Sequence, residues 1–238
     1  MRHLTTILLL SLLLPCCAFG QVGHHRSDLA VGINGGYALN RVSFNPTIKQ
    51  TFKGGTTMGL TVRYTCEKYL AAICAIQGEL NYTNLGWKEV VEPEYGTDTY
   101  SRDIYYLQIP LLARLGWGRE QRGAQFFFLV GPQIGFCIGE KEHYSDPWAG
   151  APRPNNVIQQ YERDVENVFE YGITAGAGLE VSIRKVGHFL LEGRYYYGLS
   201  DIFHNAKQDP FGRSANGAIV IKASYLFDLI TTKGVERK

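Results

Sequence analysis

The sequence is poor in the features that mark helical membrane proteins and nucleic-acid-binding proteins. Beyond the first 20 residues, no window approaches the roughly 20 consecutive apolar residues that a transmembrane helix requires. The formal net charge is only +2, and no long run of like charge occurs. The chain therefore lacks the basic footprint of a nucleic-acid binder, and we expect no nucleic-acid partner.

Residues 1–20 have the pattern of a cleaved signal peptide. Arg2 precedes an apolar stretch at 4–14, and the segment ends in the small-x-small sequence 18–20. This pattern predicts export and cleavage before Gln21. A lipoprotein signal is disfavoured because Pro15, which is not a small residue, precedes the first cysteine.

Cysteine is scarce in the rest of the chain, which keeps only Cys66, Cys74 and Cys137. If Cys66 closes one strand and Leu70 opens the next, Cys66 and Cys74 lie about four residues out of register, roughly 13 Å along the sheet. That separation exceeds the reach of a disulfide. We predict three free thiols, although an oxidising compartment would permit other pairings.

Aromatic residues are abundant, at 13% of the chain with 15 Tyr and 12 Phe, which favours strands and membrane-interface belts over helices. Eight segments alternate bulky apolar residues with small or polar ones, the period of a strand with two different faces. The segments are 28–40, 56–64, 70–82, 105–115, 126–138, 171–184, 189–197 and 218–227.

The composition of the two faces separates a membrane barrel from a soluble sandwich. The water-facing side of a sandwich carries frequent, scattered charges, whereas the polar phase here is rich in glycine with a few charges of both signs. The bulky phase carries no charge, as lipid contact requires, because Arg or Lys there costs about 2 to 4 kcal/mol at the bilayer midplane. We therefore predict an all-β fold, an eight-stranded antiparallel transmembrane β-barrel spanning residues 21–230.

The connections between the segments alternate in length. Those at 41–53, 86–102, 140–169 and 200–214 are long, and those at 67–69, 117–124 and 184–187 are short. Outer-membrane barrels have long extracellular loops and short periplasmic turns, so we expect both termini in the periplasm. Residues 231–238 are predicted to form a periplasmic tail, and the connection 140–169 to be irregular and exposed.

The chain resembles the PorT-like family of outer-membrane β-barrels over most of its mature length. The similar pieces are 78–82, 106–112, 131–133, 176–180 and 194–199. The chain departs from the family pattern at Gln108, where a carboxylate is expected, and in continuing past Phe227. The resemblance implies a barrel in the outer membrane; the family takes its name from a component of a protein secretion and gliding apparatus.

Seven charged residues fall in the predicted lumen phase. They are Arg63, Glu79, Arg114, Glu180, Glu192, Arg194 and Lys222. Because an unpaired buried charge is costly, we expect them to pair with one another as a structural plug. The specific hypothesis is that Glu79 and Glu180 meet Arg114 or Arg194. A proton or ion pathway is the alternative.

The sequence offers no convincing catalytic, cofactor-binding or metal-binding residues. The loops contain polar sets that could be mistaken for a hydrolase site: His143, Ser145, Asp146, Ser200, Asp201 and His204. No nucleophile elbow or fixed spacing accompanies them, so we predict that the chain is not an enzyme and needs no cofactor. His24 and His25, near the predicted mature start, are not expected to bind a metal.

These observations predict a non-enzymatic integral protein of the outer membrane, surrounded by lipid. Its role is expected to be interaction or structure, with a protein partner bound through the loops or the periplasmic turns. The alternative is a small channel or a carrier of a hydrophobic ligand. An eight-stranded barrel is normally filled by its own side chains, which favours the first interpretation.

Overall fold

The computed structural model describes residues 24–69, 72–90, 98–119, 122–148 and 158–231. The predicted signal peptide lies outside the described residues, as does the predicted tail beyond Thr231. The described part of the chain contains no helix long and apolar enough to cross a membrane.

Within the described ranges, eight long strands and one two-residue strand form a single sheet. In chain order the strands are β1 (His24–Asn45), β2 (Gln50–Thr51), β3 (Lys53–Tyr69), β4 (Ala72–Glu89), β5 (Tyr100–Gly118), β6 (Gly123–Tyr144), β7 (Phe169–Ile183), β8 (Gly187–Gly198) and β9 (Arg213–Ile230).

The sheet closes on itself, so that every long strand has two antiparallel neighbours. β1 pairs with β3 on one side and with β9 on the other, and the β4–β5 pairing completes the ring. The short strand β2 pairs with the end of β4 and prolongs the edge of β3. The predicted eight-stranded antiparallel barrel is confirmed, with β2 as an addition that alternation did not reveal.

The strands are longer than predicted, chiefly at one end of the barrel. β1 continues to Asn45, and β6 has 22 residues and runs to Tyr144. The predicted connections 41–53 and 140–169 are therefore longer than the connections in the structure, 46–52 and 145–168. About ten residues suffice for a tilted strand to cross a bilayer, so the additional residues extend the wall beyond the apolar band.

The two ends of the barrel differ in the length of the connections that they carry. Connections 46–52, 90–99, 145–168 and 199–212 lie at what we call the long-connection end. Connections 70–71, 119–122 and 184–186 lie at the opposite, short-turn end, together with His24 and Thr231. The predicted alternation of long and short connections is confirmed.

Cys66, Cys74 and Cys137 are free thiols, as predicted. The predicted offset between Cys66 and Cys74 is wrong, however. β3 runs past Cys66 to Tyr69, and Glu67 pairs with Cys74 across a register shift that leaves Cys66 in a bulge. The two cysteines are therefore close in register, because residues 67–69, which were predicted to form the turn, belong to β3.

Outward and inward faces follow the predicted alternation. Apolar side chains such as Ile33 (63% exposed) and Leu191 (58% exposed) cover the outside. Glycines on the inner face make room for longer side chains, since a Cβ at Gly176 would lie only 2.9 Å from Cγ of Arg194. The interior is thus filled by large polar side chains between small residues, as expected of a narrow barrel.

Candidate functional site: the lumen and its two ends

All seven charged residues predicted to face the lumen do so. Each is buried, with no more than 6% of its surface exposed. They separate into two clusters at different heights in the barrel, one around Glu79 and the other around Glu180. The hypothesis that these two carboxylates meet Arg194 and Arg114 is confirmed.

The central ion cluster consists of Glu79, Glu192, Arg194 and Lys222. Arg194 donates two hydrogen bonds to the Glu79 carboxylate, at 2.5 and 3.0 Å, and Lys222 Nζ donates a third at 2.6 Å. Arg194 also forms an ion pair of 2.6 Å with Glu192. The cluster links β4, β8 and β9 across the lumen and has balanced formal charge, with two acids and two bases.

The inner ion cluster lies toward the short-turn end and is centred on Glu180. Arg63 Nη1 donates to this carboxylate at 2.7 Å, and Arg114 donates to the same oxygen. The guanidinium carbon of Arg114 also lies 3.9 Å from the centroid of the Phe127 ring. A cavity of about 280 Å³ adjoins these side chains and also contacts His188.

His188 extends the inner ion cluster to the barrel wall. Its Nδ1 lies 2.6 Å from Glu180 Oε1, and its Nε2 lies 3.0 Å from Asp228 Oδ1. Ser182 Oγ lies 2.8 Å from the same Nδ1. This Ser, His and Asp arrangement was missed in the sequence, because its three members come from β7, β8 and β9 and show no motif.

The arrangement around His188 favours a structural bridge over a nucleophile. A general base must offer an unprotonated ring nitrogen to the serine, yet the nitrogen that faces Ser182 is closer to the Glu180 carboxylate. Ser182 is only 3% exposed and its hydroxyl also donates to Glu180 at 3.3 Å. An imidazole held between two carboxylates joins β7, β8 and β9.

Aromatic side chains close the long-connection end. This aromatic cap consists of Phe44, Trp87, Tyr100, Phe203 and Phe211, all buried. Phe203 and Phe211 come from the connection 199–212 and stack with a centroid distance of 5.4 Å. Phe44 of the wall contacts Trp87 edge-on at 5.1 Å and lies 5.3 Å from Phe211, so the connection inserts its apolar side chains among those of the wall.

Buried polar groups hold the described part of the connection between β6 and β7 against this cap. Arg102 donates to the backbone carbonyls of Gln160, at 3.2 Å, and Arg163, at 2.5 Å. Glu89 accepts a hydrogen bond of 2.6 Å from the Tyr161 hydroxyl. Residues 158–168 are irregular, as predicted. The expected exposure holds only in part, because Gln160 is buried and bonded to the wall.

Glu166 fastens the two longest connections to each other. Its carboxylate accepts hydrogen bonds from Arg163 and from the backbone N–H of His204, the latter at 2.6 Å. Partial burial raises the pKa of Glu166, but the hydrogen bonds from His204 and Arg163 outweigh that effect and lower the pKa below its ordinary value.

The loop residues that resemble a hydrolase set are not brought together. His143 forms a hydrogen bond with Asp103, and Ser145 accepts one from the backbone N–H of Thr99. Ser200 and Asp201 accept hydrogen bonds from the backbone N–H groups of Tyr171 and Ser214. The backbone N–H of His204 donates to Glu166, and Asp146 is exposed. Each bonded group serves the local structure. His24 and His25 pair with Lys68 and Glu67 in the β1–β3 ladder. Within the described ranges, no group of three or more His, Cys, Asp or Glu residues could hold a metal ion.

The family of the chain follows from comparison with known proteins. The outer membrane protein β-barrel domain family matches residues 19–204. The chain therefore belongs to the outer membrane protein β-barrel domain family, and its location is the bacterial outer membrane. No curated protein matches the chain.

Solved structures of similar form are distant in sequence. The outer membrane protein OprG from Pseudomonas aeruginosa is 15% identical, with 85% of this chain and 97% of that one covered and a TM-score of 0.46. Ail, the attachment invasion locus protein of Yersinia pestis, is 14% identical, with 84% and 99% covered and a TM-score of 0.36. The outer membrane enzyme PagL is 11% identical, with 84% and 97% covered and a TM-score of 0.39.

Proposed function

We propose that this chain is a non-enzymatic, non-conducting barrel that serves the outer membrane as an interaction or structural component. The observation that carries the proposal is the filling of the lumen at three successive heights, by the inner ion cluster, the central ion cluster and the aromatic cap. A barrel closed in this way acts through its surfaces and not through transport.

The central ion cluster is the main obstacle to an ion pathway. Its charges form ion pairs with one another at 2.5 to 2.6 Å, so a passing ion would have to break contacts made in a low-dielectric interior. The aromatic cap adds an apolar layer above it.

The central lumen also has no room for a hydrophobic ligand. Between the central ion cluster and the cap the cavity measures about 30 Å³ and is lined by polar side chains such as Thr57, Gln108 and Gln133. A cavity of this size accommodates about one water molecule, whereas pockets for small ligands occupy roughly 300 to 1,000 Å³. The geometry therefore disfavours a hydrophobic ligand in the central lumen.

Planar-bilayer conductance tests the proposal directly. The purified full-length protein, shown to be folded by its heat-modifiable gel mobility, should give no single-channel steps in concentrated potassium chloride. A general porin reconstituted in the same membrane provides the positive control. Steady steps from the folded chain would refute the closed lumen and support the channel alternative.

We further propose that the long-connection end faces the cell exterior and that both termini are periplasmic. The support is the difference in connection length between the two ends, which is the arrangement of outer-membrane barrels. A peptide tag inserted at residue 154 should be detected by antibody on intact cells. The same tag in the turn at residue 185 should be detected only after the outer membrane is permeabilised; the reverse result would contradict the orientation.

A protein partner is the third element of the proposal. Several apolar side chains outside the long strands are exposed at the long-connection end, among them Phe52, Val90 and Ile158. The resemblance to PorT-like barrels supports a partner from a protein secretion apparatus. Cross-linking in native membranes followed by affinity purification should recover a specific protein, and V90D/I158D should reduce its recovery while K207A should not.

A further inference from the structure

A shallow depression on the outer surface of the barrel carries two arginines and lies on β1, β8 and β9. Its volume is about 170 Å³. Arg41 and Arg213 line it, Tyr195 and Tyr197 flank it, and Gly217 forms part of its floor. We call it the arginine depression.

The register of the strands places Arg41 at the edge of the apolar band. Arg41, Gly217 and Tyr197 lie side by side in one row. The next outward-facing row toward the bilayer centre contains Leu39, Ile219 and Tyr195, which are apolar or aromatic and exposed. Tyrosines of this kind mark the level of the lipid headgroups in membrane barrels.

Among the described residues, the two arginines have no acidic partner. No acidic residue lines the depression, and neither arginine forms an ion pair with any residue that the structure describes. Arg213 Nη2 donates to the Tyr197 hydroxyl at 2.6 Å, which holds the guanidinium in place. Its Nε is buried and has no hydrogen-bond partner among the described residues, so one donor is left unsatisfied.

On the opposite side of the long-connection end, a cation does have an acidic partner. There Asp103 neutralises Lys53 and accepts a hydrogen bond of 2.8 Å from His143. A cation on the lipid-facing surface becomes costlier the closer it lies to the bilayer midplane. For Lys53 the protein supplies the compensating carboxylate itself, whereas no described acidic residue pairs with Arg41 or Arg213.

We propose that the arginine depression binds the phosphate of a lipid headgroup at the membrane surface. The phosphate lies between the Arg41 and Arg213 guanidiniums, which match phosphate oxygens in geometry as well as charge. The lipid chains descend over Gly217 toward Ile219, into the apolar band. The site is independent of the lumen, so it exists whether or not the barrel conducts.

Gly217 gives the site its depth. A Cβ at this position would meet nothing closer than the Arg41 carbonyl oxygen at 3.7 Å and the Tyr195 hydroxyl at 3.8 Å. A valine can therefore be introduced without a clash at the backbone, and its methyl groups would fill the space where the headgroup lies. This variant tests the shape of the site separately from its charge.

Native mass spectrometry of the full-length protein measures the binding. The protein is released from micelles containing equal amounts of phosphatidic acid and phosphatidylcholine, and the ratio of the two bound lipids is recorded. The wild type should retain phosphatidic acid in preference. R41Q/R213Q should lower the ratio about tenfold, equivalent to about 1.4 kcal/mol, and G217V should lower it in the same direction.

Lys88 supplies the matched control. It is an exposed cation on β4 at the same end of the barrel, two strands away from β1. K88Q should leave the lipid ratio unchanged. A wild type without preference would overturn the proposal, as would an R41Q/R213Q variant that keeps the wild-type ratio. Displacement of the lipid by millimolar inorganic phosphate would show a site for free phosphate and would overturn the assignment to lipid.

Discussion

Replacing Glu79 with glutamine perturbs the central ion cluster with almost no change in shape. Glu79 accepts hydrogen bonds from Arg194 and Lys222 and also from Gln77 and Asn81, at 2.7 and 2.9 Å. In E79Q one negative charge disappears, and the cluster is left with Glu192 against two cations. The uncompensated charge is Lys222, whose surface is 2% exposed.

The magnitude follows from that burial. Removing one partner of a buried ion pair costs about 3 to 5 kcal/mol, because the remaining charge stays desolvated. We expect E79Q to lower the free energy of unfolding by about 3 kcal/mol, since Arg194 retains Glu192. E79Q/K222M removes a cation as well, returns the cluster to neutrality and should recover at least about 1 kcal/mol of the loss.

Reversible urea unfolding in lipid vesicles, followed by tryptophan fluorescence, measures both variants. D164N, which changes an exposed carboxylate in the connection between β6 and β7, should stay within about 0.5 kcal/mol of the wild type. A loss below about 1 kcal/mol in E79Q would refute the reasoning about desolvated charge. So would a double variant that is less stable than the single one.

Three further predictions concern the cap and the proposed absence of catalysis. F203A should speed proteolysis within 199–212 about 100-fold while the barrel stays folded, because truncating a buried phenylalanine costs about 3 kcal/mol; K207A should not. Because the pKa of Glu166 is lowered in the folded protein, its carboxylate should stabilise the cap fully above the unfolded pKa and progressively less as the pH falls through the folded pKa. Acid should therefore increase proteolysis of the connection 199–212 in the wild type. It should not do so in E166Q, which lacks the titrating group. Neither the wild type nor S182A should hydrolyse p-nitrophenyl butyrate; hydrolysis lost in S182A would establish an enzyme.

Much of the barrel was predictable because its main signal is local. The alternation at 171–184 reflects which side of one strand each residue faces, and it needs no knowledge of the neighbouring strands. The pairing of Glu79 with Arg194 was also foreseen in outline, since few partners of opposite charge share a narrow interior.

Positions that depend on strand ends were less predictable. The turn was expected at 67–69, and this shift by a few residues was enough to misplace Cys66 relative to Cys74. The connection 140–169 was expected to be irregular and exposed because of its prolines, yet Gln160 within it is buried against the wall. Composition predicts the exposure of a segment only when the rest of the fold leaves that segment at the surface.

The sequence alone determined which residues face each side of a strand, how many long strands there are and which charged residues point inward. It also determined the alternating lengths of the connections. All of these follow from period-two patterning along one chain. The tertiary structure decided which charges meet and what closes the barrel mouth. Arg194 and Glu79 lie 115 residues apart in the chain, and Phe203 meets Phe44 only through ring closure. Such contacts depend on how far each strand is shifted against its neighbour, a quantity that the residues of a single strand do not encode.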